Sequence, residues 1–362
     1  MRYRKLVDGF RPYEWELSNR ELSARYGVPE EKIVRMDLNT VPYLPVKWLE
    51  ILQQRLLEIP INLYPDTSYR ELRELLGEYA GVDLEQLVVT AGADEAIDLT
   101  AKLLIDPGSK AIASTPTYSF FRIPVELMGG RVVEVPRISP GFKDDLSGIL
   151  EKIDAETRLV FLCHPNNPTG TPVEPEIVDR LLKEDVTLVI DETYYEFLGR
   201  SYASLTKRND NLIIIRSFSK GFGLAGARVG YMIASEHTAM LLNKLRPPNS
   251  VGVISLELAK IALENKDAAE KVVGKIIEER ERVRRKLEKI PGITVYPSEA
   301  NFLLIRFDEE DAGKVHEALL RRGYVVRNLS SIPGLENCLR ITISTPENNE
   351  GFLDAFIDVL GE

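Results

Sequence analysis

Seven short runs rich in β-branched and aliphatic residues recur between residues 86 and 234: QLVVT, KAIAS, RVVEV, RLVFL, TLVI, LIIIR and VGYMIA. Helix-patterned segments such as DEAIDLTAKLLI and EPEIVDRLLKE separate the first six. Strands joined through helices run parallel, and a parallel sheet needs helices on both faces to hide its apolar surfaces. The alternation therefore predicts an α/β fold whose large domain holds a mostly parallel seven-stranded sheet sandwiched by helices. The last two runs lie too close together for an intervening helix, which allows one antiparallel strand.

After about residue 250 the pattern changes. A helical stretch, roughly 253 to 289, carries a face laced with Glu and Arg and is expected to link two domains. Beyond it ITVY, NFLLIRF, YVVRN and LRITIS read as strands, with helices in DAGKVHEALLRR and at the end of the chain, which makes a small α+β C-terminal domain. A chain of 362 residues exceeds what one core usually organises. The expected division is an N-terminal arm (1–40) contributing to the small domain, a large domain (41–248), and a small domain (249–362) that includes the interdomain helix.

The formal net charge of −10 argues against a nucleic-acid partner, because phosphate neutralisation needs a basic face. A small-molecule substrate fits better. Cys163 and Cys338 sit in strand-like segments and read as buried thiols rather than a disulfide framework. Neither a signal-peptide pattern nor a membrane-length apolar run is present, so a cytoplasmic location is expected, with no membrane partner and no metal.

In open α/β sheets ligands sit beyond the carboxyl ends of the strands. Lys220 follows one strand in RSFSKGFGLAGARVG, Asp191 follows another in TLVIDETYYEF, and Asn167 follows a third in FLCHPNNPTG. All three point to one sheet edge. Gly221, Gly223 and Gly226 spell a dinucleotide-like GxGxxG, but they lead into a strand, whereas that fingerprint needs a helix N-terminus. A pyridine-type cofactor explains the set better. Its ring nitrogen needs a buried carboxylate (Asp191), its hydroxyl needs donors (Asn167, Tyr194), and its aldehyde needs an amine (Lys220). Its phosphate needs a cup of donors: Gly92, Ala93 and Asp94 open a helix after a strand, with Asp94 offering its backbone, and Ser217, Ser219 and Arg228 add polar groups. Tyr118, after KAIAS, suits stacking on the ring face.

In order and spacing over roughly residues 60 to 345, GADE, PTY, HPNNPTG, DETYYEF and SFSK with Arg228 resemble the fold-type I, class I/II aminotransferases. The resemblance implies pyridoxal 5′-phosphate (PLP) as cofactor, Lys220 as the residue that holds it covalently, Asp191 at the pyridine nitrogen, and Asn167 with Tyr194 at the ring hydroxyl. It implies ping-pong transamination between an amine or amino acid and a 2-oxo acid such as 2-oxoglutarate. RPYEW, LYPD, VVRN and LRITIS are similar to the histidinol-phosphate aminotransferase branch. That likeness implies a homodimer, to which the arm 1–40 contributes and in which Tyr64 reaches the neighbouring subunit's cofactor phosphate. It also implies that Arg340 holds the substrate's anionic end, with Arg327, Tyr13, Asn39 and Asn167 at the substrate.

Where the branch shows an Asn-Glu-Asn-Pro element, this chain reads DLNTVPYLP, keeping Asn39 and Pro42 but placing Thr40 and Val41 between them, which bears on specificity. Other readings stay open: a general aromatic or aspartate aminotransferase, a threonine-phosphate-type decarboxylase, and a PLP-binding regulator.

Overall fold

The computed structural model describes residues 3–10, 12, 15–43 and 45–361. Its strands are β1 (Val34–Met36), β2 (Leu87–Thr90), β3 (Lys110–Thr115), β4 (Arg131–Pro136), β5 (Thr157–Cys163), β6 (Thr187–Asp191), β7 (Leu212–Ser217), β8 (Gly230–Ile233), β9 (Ile293–Tyr296), β10 (Phe302–Phe307), β11 (Tyr324–Asn328) and β12 (Cys338–Thr342). Seven of them form one sheet in the order β2-β8-β7-β6-β5-β3-β4. β8 is antiparallel to both neighbours, and the remaining adjacent pairs are parallel. The α/β architecture, the seven strands and the single reversed strand agree with the sequence pattern.

The runs lack polar alternation because both faces of this sheet are covered. Leu188 and Ile190 of β6 and Leu212 and Ile214 of β7 enter one core, with the helices Arg70–Ala80, Pro175–Leu181 and Val253–Glu264. Val189, Ile213 and Ile215 point the other way, into a second core with the helices Ala93–Leu104, Arg122–Leu127 and Glu236–Leu245. Fully burying each such side chain contributes about 1.5–3 kcal/mol, so a one-residue slip of any strand would exchange two well-filled faces.

The second sheet runs β1-β11-β12-β10-β9. β1 joins it from near the N-terminus, parallel to β11, and the other pairs are antiparallel. The stretch expected as one helix over 253–289 is two, Val253–Glu264 and Lys266–Leu287. Asn265 leaves helical geometry (φ −123°, ψ 33°), and its Nδ2 donates to the carbonyl of Ile261 at 2.9 Å. A polar side chain that satisfies its own preceding turn offers the backbone an alternative to continuing the helix. The first helix packs on the core of the seven-stranded sheet, and the second supplies Val273, Ile276 and Val283 to the core of the five-stranded one. Cys163 and Cys338 are buried free thiols. Among the described residues no helix is long and apolar enough to cross a membrane.

Candidate active site

Three parallel strands end side by side. Cys163 of β5 pairs with Asp191 of β6, Asp191 with Ile215 of β7, and the loops that follow carry Asn167, Tyr194 and Lys220. These loops line a cavity of ≈ 240 Å³ between the two sheets.

Asp191 is buried and its Oδ1 accepts the backbone N–H of Thr193 at 2.9 Å. Burial pushes its carboxyl up from 3.8 to about 6, and among the described residues no cation pairs with it. Lys220 Nζ donates to the carbonyl of Leu38 at 2.9 Å. Burial, reinforced by the positive charge of Arg340, pushes the Lys220 ammonium down from 10.5 to about 8. The lysine thus gives up its proton more readily than an exposed one, as a nucleophile and base must.

The loop bearing Lys220 rests on a buried polar layer. Arg216 of β7 pairs with Glu192 at 3.0 Å and lies over the ring of Tyr195 at 3.7 Å. Glu196 packs against the residue after Lys220, where a Cβ on Gly221 would stand 2.4 Å from Glu196 Cγ. Glycine at 221 is therefore a requirement of close approach rather than part of a dinucleotide fingerprint.

The anion end forms where β2 turns into the helix Ala93–Leu104. Gly92 is its N-cap with φ 85°, and a Cβ there would meet Arg228 Nη2 at 2.6 Å. Arg228, itself left-handed at φ 52°, places Nη1 3.4 Å from Ser219 Oγ and Nη2 3.1 Å from Asp94 Oδ2. Tyr118 donates its hydroxyl to Asp94 Oδ1 at 2.9 Å. The Asp94 carboxylate thus joins Arg228 to Tyr118, a part beyond the backbone contribution read from its sequence. Ala93, Ser217 and Ser219 also line the cavity.

The other end is built from the second sheet and the N-terminal segment. Arg340 of β12 is 8% exposed; its Nη1 donates to Asn167 Oδ1 at 2.6 Å and its Nη2 to the carbonyl of Asp37. Asn39, left-handed at φ 52°, donates from Nδ2 to the Tyr194 hydroxyl at 2.9 Å. Thr342 Oγ1 and Asn301 Nδ2 donate to Asn39 Oδ1 and to its carbonyl, both at 3.0 Å, and fix the DLNTVPY segment. Tyr194 packs edge-on against Phe302 at 5.3 Å, and burial holds its hydroxyl above the ordinary tyrosine range.

Most residues singled out from sequence therefore meet in one cavity. Arg327 does not line it; it is the cross-strand partner of Arg340 and its Nη1 lies 3.5 Å from Glu16 Oε1. Tyr64 lies outside the cavity and is 85% exposed. Tyr13 falls outside the described residues. Glu16, Asp37, Leu38, Thr193 and Ala225 line the cavity without having been singled out. Asp37 and Leu38 adjoin the flagged Asn39, whereas Glu16 carries no local signal.

Residues 31–356 match the family described as aminotransferase class I and II. The chain belongs to this family. It is thus a PLP-dependent aminotransferase. The histidinol-phosphate aminotransferase of Roseiflexus castenholzii is 36% identical over 360 residues, covering 98% of this chain and 96% of that protein. That of Thermococcus gammatolerans is 37% identical over 358 residues, covering 99% and 97%. The solved histidinol-phosphate aminotransferase of Sinorhizobium meliloti, in complex with pyridoxal 5′-phosphate, superposes with a TM-score of 0.88 at 26% identity, over 99% of this chain and 98% of that one.

Proposed function

We propose that this aminotransferase moves the amino group of histidinol phosphate to a 2-oxo acid such as 2-oxoglutarate, in histidine biosynthesis, as a cytoplasmic homodimer. The observation that carries the reading is the cross-strand pairing of Arg327 with Arg340, of which Arg340 lines the cavity. One arginine suffices for a carboxylate; a second suits a phosphate dianion. The relatives' names support the same choice.

The cavity's residues fit PLP. An uncompensated buried carboxylate, a lysine of lowered proton affinity and a glycine-floored helix start beside an arginine are what a protonated pyridine, an aldehyde and a phosphate ask for. The backbone at Gly92, Ala93 and Asp94, the hydroxyls of Ser217 and Ser219, and Arg228 would hold the phosphate. Asp191 would keep the ring nitrogen protonated, Asn167 and Tyr194 would hold the ring hydroxyl, and Tyr118 would cover one ring face. When bound, PLP takes up the electron pair left as a Cα bond of the amine breaks.

Lys220 would be the residue that holds PLP covalently, and its Nζ, when not so engaged, would take the Cα proton of the substrate amine. Its position beside Leu38 O keeps the amine oriented. Arg340, fixed by Asn167 and the Asp37 carbonyl, receives the anionic end of each substrate in turn. Residues 41–248 would carry the cofactor and 249–362 would form a small domain whose first helix, Val253–Glu264, packs on the core of the seven-stranded sheet, with the arm 1–40 joining the small domain and the dimer.

An apolar surface supports the dimer: Leu57 is 98%, Ile61 71%, Leu63 61% and Tyr64 85% exposed along one short stretch. Such a patch rarely stays bare. In the dimer Tyr64 would reach the partner's cofactor phosphate.

The test is a half-reaction. Histidinol phosphate added to the yellow holoenzyme should shift its absorbance, and 2-oxoglutarate should restore it. Equal turnover of phenylalanine or aspartate without response to histidinol phosphate would replace the reading with a general aminotransferase, and release of carbon dioxide would replace it with a decarboxylase.

A further inference from the structure

We infer that Thr342 is a positioning residue of the transamination site: it fixes which way the Asn39 amide faces, and so makes the Tyr194 hydroxyl donate its proton into the cavity. The inference rests on the reading of Tyr194 as a donor to the ring hydroxyl of PLP. The backbone N–H of Asn39 can only donate, and it meets Thr342 Oγ1 at 3.0 Å. That hydroxyl is an acceptor there, so its single proton goes to Asn39 Oδ1, also at 3.0 Å. With Oδ1 taken, Nδ2 is the Asn39 atom that faces Tyr194, 2.9 Å from the hydroxyl oxygen. Tyr194 therefore accepts from Asn39, and its own proton is left for a group in the cavity that it lines.

The reversed amide would undo this. Oδ1 would face Tyr194 and draw its proton away from the cavity, leaving the tyrosine to turn lone pairs toward the ring oxygen of PLP. Nδ2 would face Thr342 Oγ1, which would then accept twice and lose the acceptor of its own proton. The two ends of an asparagine amide have nearly the same shape, so packing alone does not choose between them; the Thr342 hydroxyl does. Asn39, Tyr194 and Thr342 are all buried, which keeps water from competing for these bonds. Asn39 adopts a left-handed φ of 52° that asparagine tolerates, and its carbonyl accepts from Asn301 Nδ2 at 3.0 Å.

Thr342 ends β12 and pairs across the sheet with Phe302 of β10, whose ring packs edge-on against Tyr194 at 5.3 Å. One rung of the second sheet thus holds the ring and, through Asn39, the hydroxyl of a residue that follows a strand of the first. Burial, the largest influence, keeps the proton on Tyr194; Arg340 and the Asn39 hydrogen bond act against it, and Cys163 and Asp191 act with it. Tyr194 accordingly has a proton to give, and Thr342 controls its direction.

The experiment follows the absorbance of the PLP-loaded enzyme against pH. The Lys220 nitrogen and the ring oxygen share a proton whose loss changes the colour, and a donor on the oxygen draws off the negative charge that retains it. Thr342→Val, which is close in shape but lacks the hydroxyl, should raise the midpoint by roughly 0.5–1 pH unit. Thr342→Ser, which keeps the hydroxyl, should stay within about 0.2 unit of the parent. In a Tyr194→Phe background the Thr342→Val shift should vanish, since both changes act on one hydroxyl. If Thr342→Val does not take up PLP, Asn39→Asp serves in its place: a carboxylate only accepts, so the midpoint should rise more in the parent than in Tyr194→Phe. An unmoved midpoint in Thr342→Val, an equal shift in Thr342→Ser, or a rise from Thr342→Val or Asn39→Asp that is undiminished without the Tyr194 hydroxyl overturns the inference. A Tyr194→Phe enzyme whose midpoint matches the parent's overturns the placement of Tyr194 at the ring hydroxyl and the inference with it. A shifted Tyr194→Phe beside an unmoved Thr342→Val overturns the inference alone.

Discussion

The two ends of the cavity are made differently. The Lys220 end is assembled from loops that leave adjacent parallel strands, so strand pairing alone brings Asn167, Asp191 and Lys220 to one edge. The Arg340 end is assembled across elements far apart in sequence: β11, β12, the segment from Asp37 to Asn39, and Glu16. One end inherits its precision from a sheet buried on both faces; the other depends on how a second sheet and an N-terminal segment dock against it. On the proposed function the first end would set the chemistry and the second would set which molecule undergoes it.

Removing the amine tests the first half most severely. Lys220→Ala is expected to lower kcat by about 10⁴-fold or more, through loss of nucleophile and base together; single-turnover and steady-state assays check this, and normal cycling would break the contrast at its stronger end. A smaller, selective effect is expected at the other end. Arg327→Ala should reduce kcat/KM for a phosphorylated substrate by roughly 10–100-fold while changing that for unphosphorylated amino acids by less than about threefold. Equal losses on both would make Arg327 a structural charge and dissolve the distinction.

The smallest expected effect is on stability. In the cofactor-free protein Asp191 keeps its proton up to about pH 6, above its ordinary 3.8, because burial disfavours the anion. Between those values the folded chain binds more protons than the unfolded one, so stability falls as pH rises through this window and then levels. Asp191→Asn should remove that share of the decline, about 3 °C in Tm between pH 4 and 6. Glu196, pushed up to about 7 by burial, adds its own decline at higher pH, so the comparison is between variant and parent across the lower window. A Tm profile identical in the two proteins would show that the carboxylate already has a compensating partner.

The seven strands of the large sheet were legible because each is a short apolar run with a local boundary, and the loops at their ends carried recognisable residue types. Asp94 was legible as a helix opener but not as the carboxylate joining Arg228 to Tyr118, since that role depends on a contact across 134 positions. The break at Asn265 was hidden by continuous helical patterning on both sides. β1 was hidden because three residues make too short a run to stand out until β11 pairs with them. Glu16 had no sign at all: one acid among 56 acidic residues becomes meaningful only beside Arg327.

By itself the sequence determined the architecture of the large sheet and the chemical types at its carboxyl edge, because period, strand length and turn residues act over a few neighbouring positions. Tertiary structure alone decided that Arg340 is fixed by Asn167 and the Asp37 carbonyl, that Asn39 holds the Tyr194 hydroxyl, and that an N-terminal glutamate stands before Arg327. Those are relations between segments up to 311 residues apart, and only the joining of the N-terminal segment to the second sheet and the packing of that sheet against the first bring them within hydrogen-bonding reach.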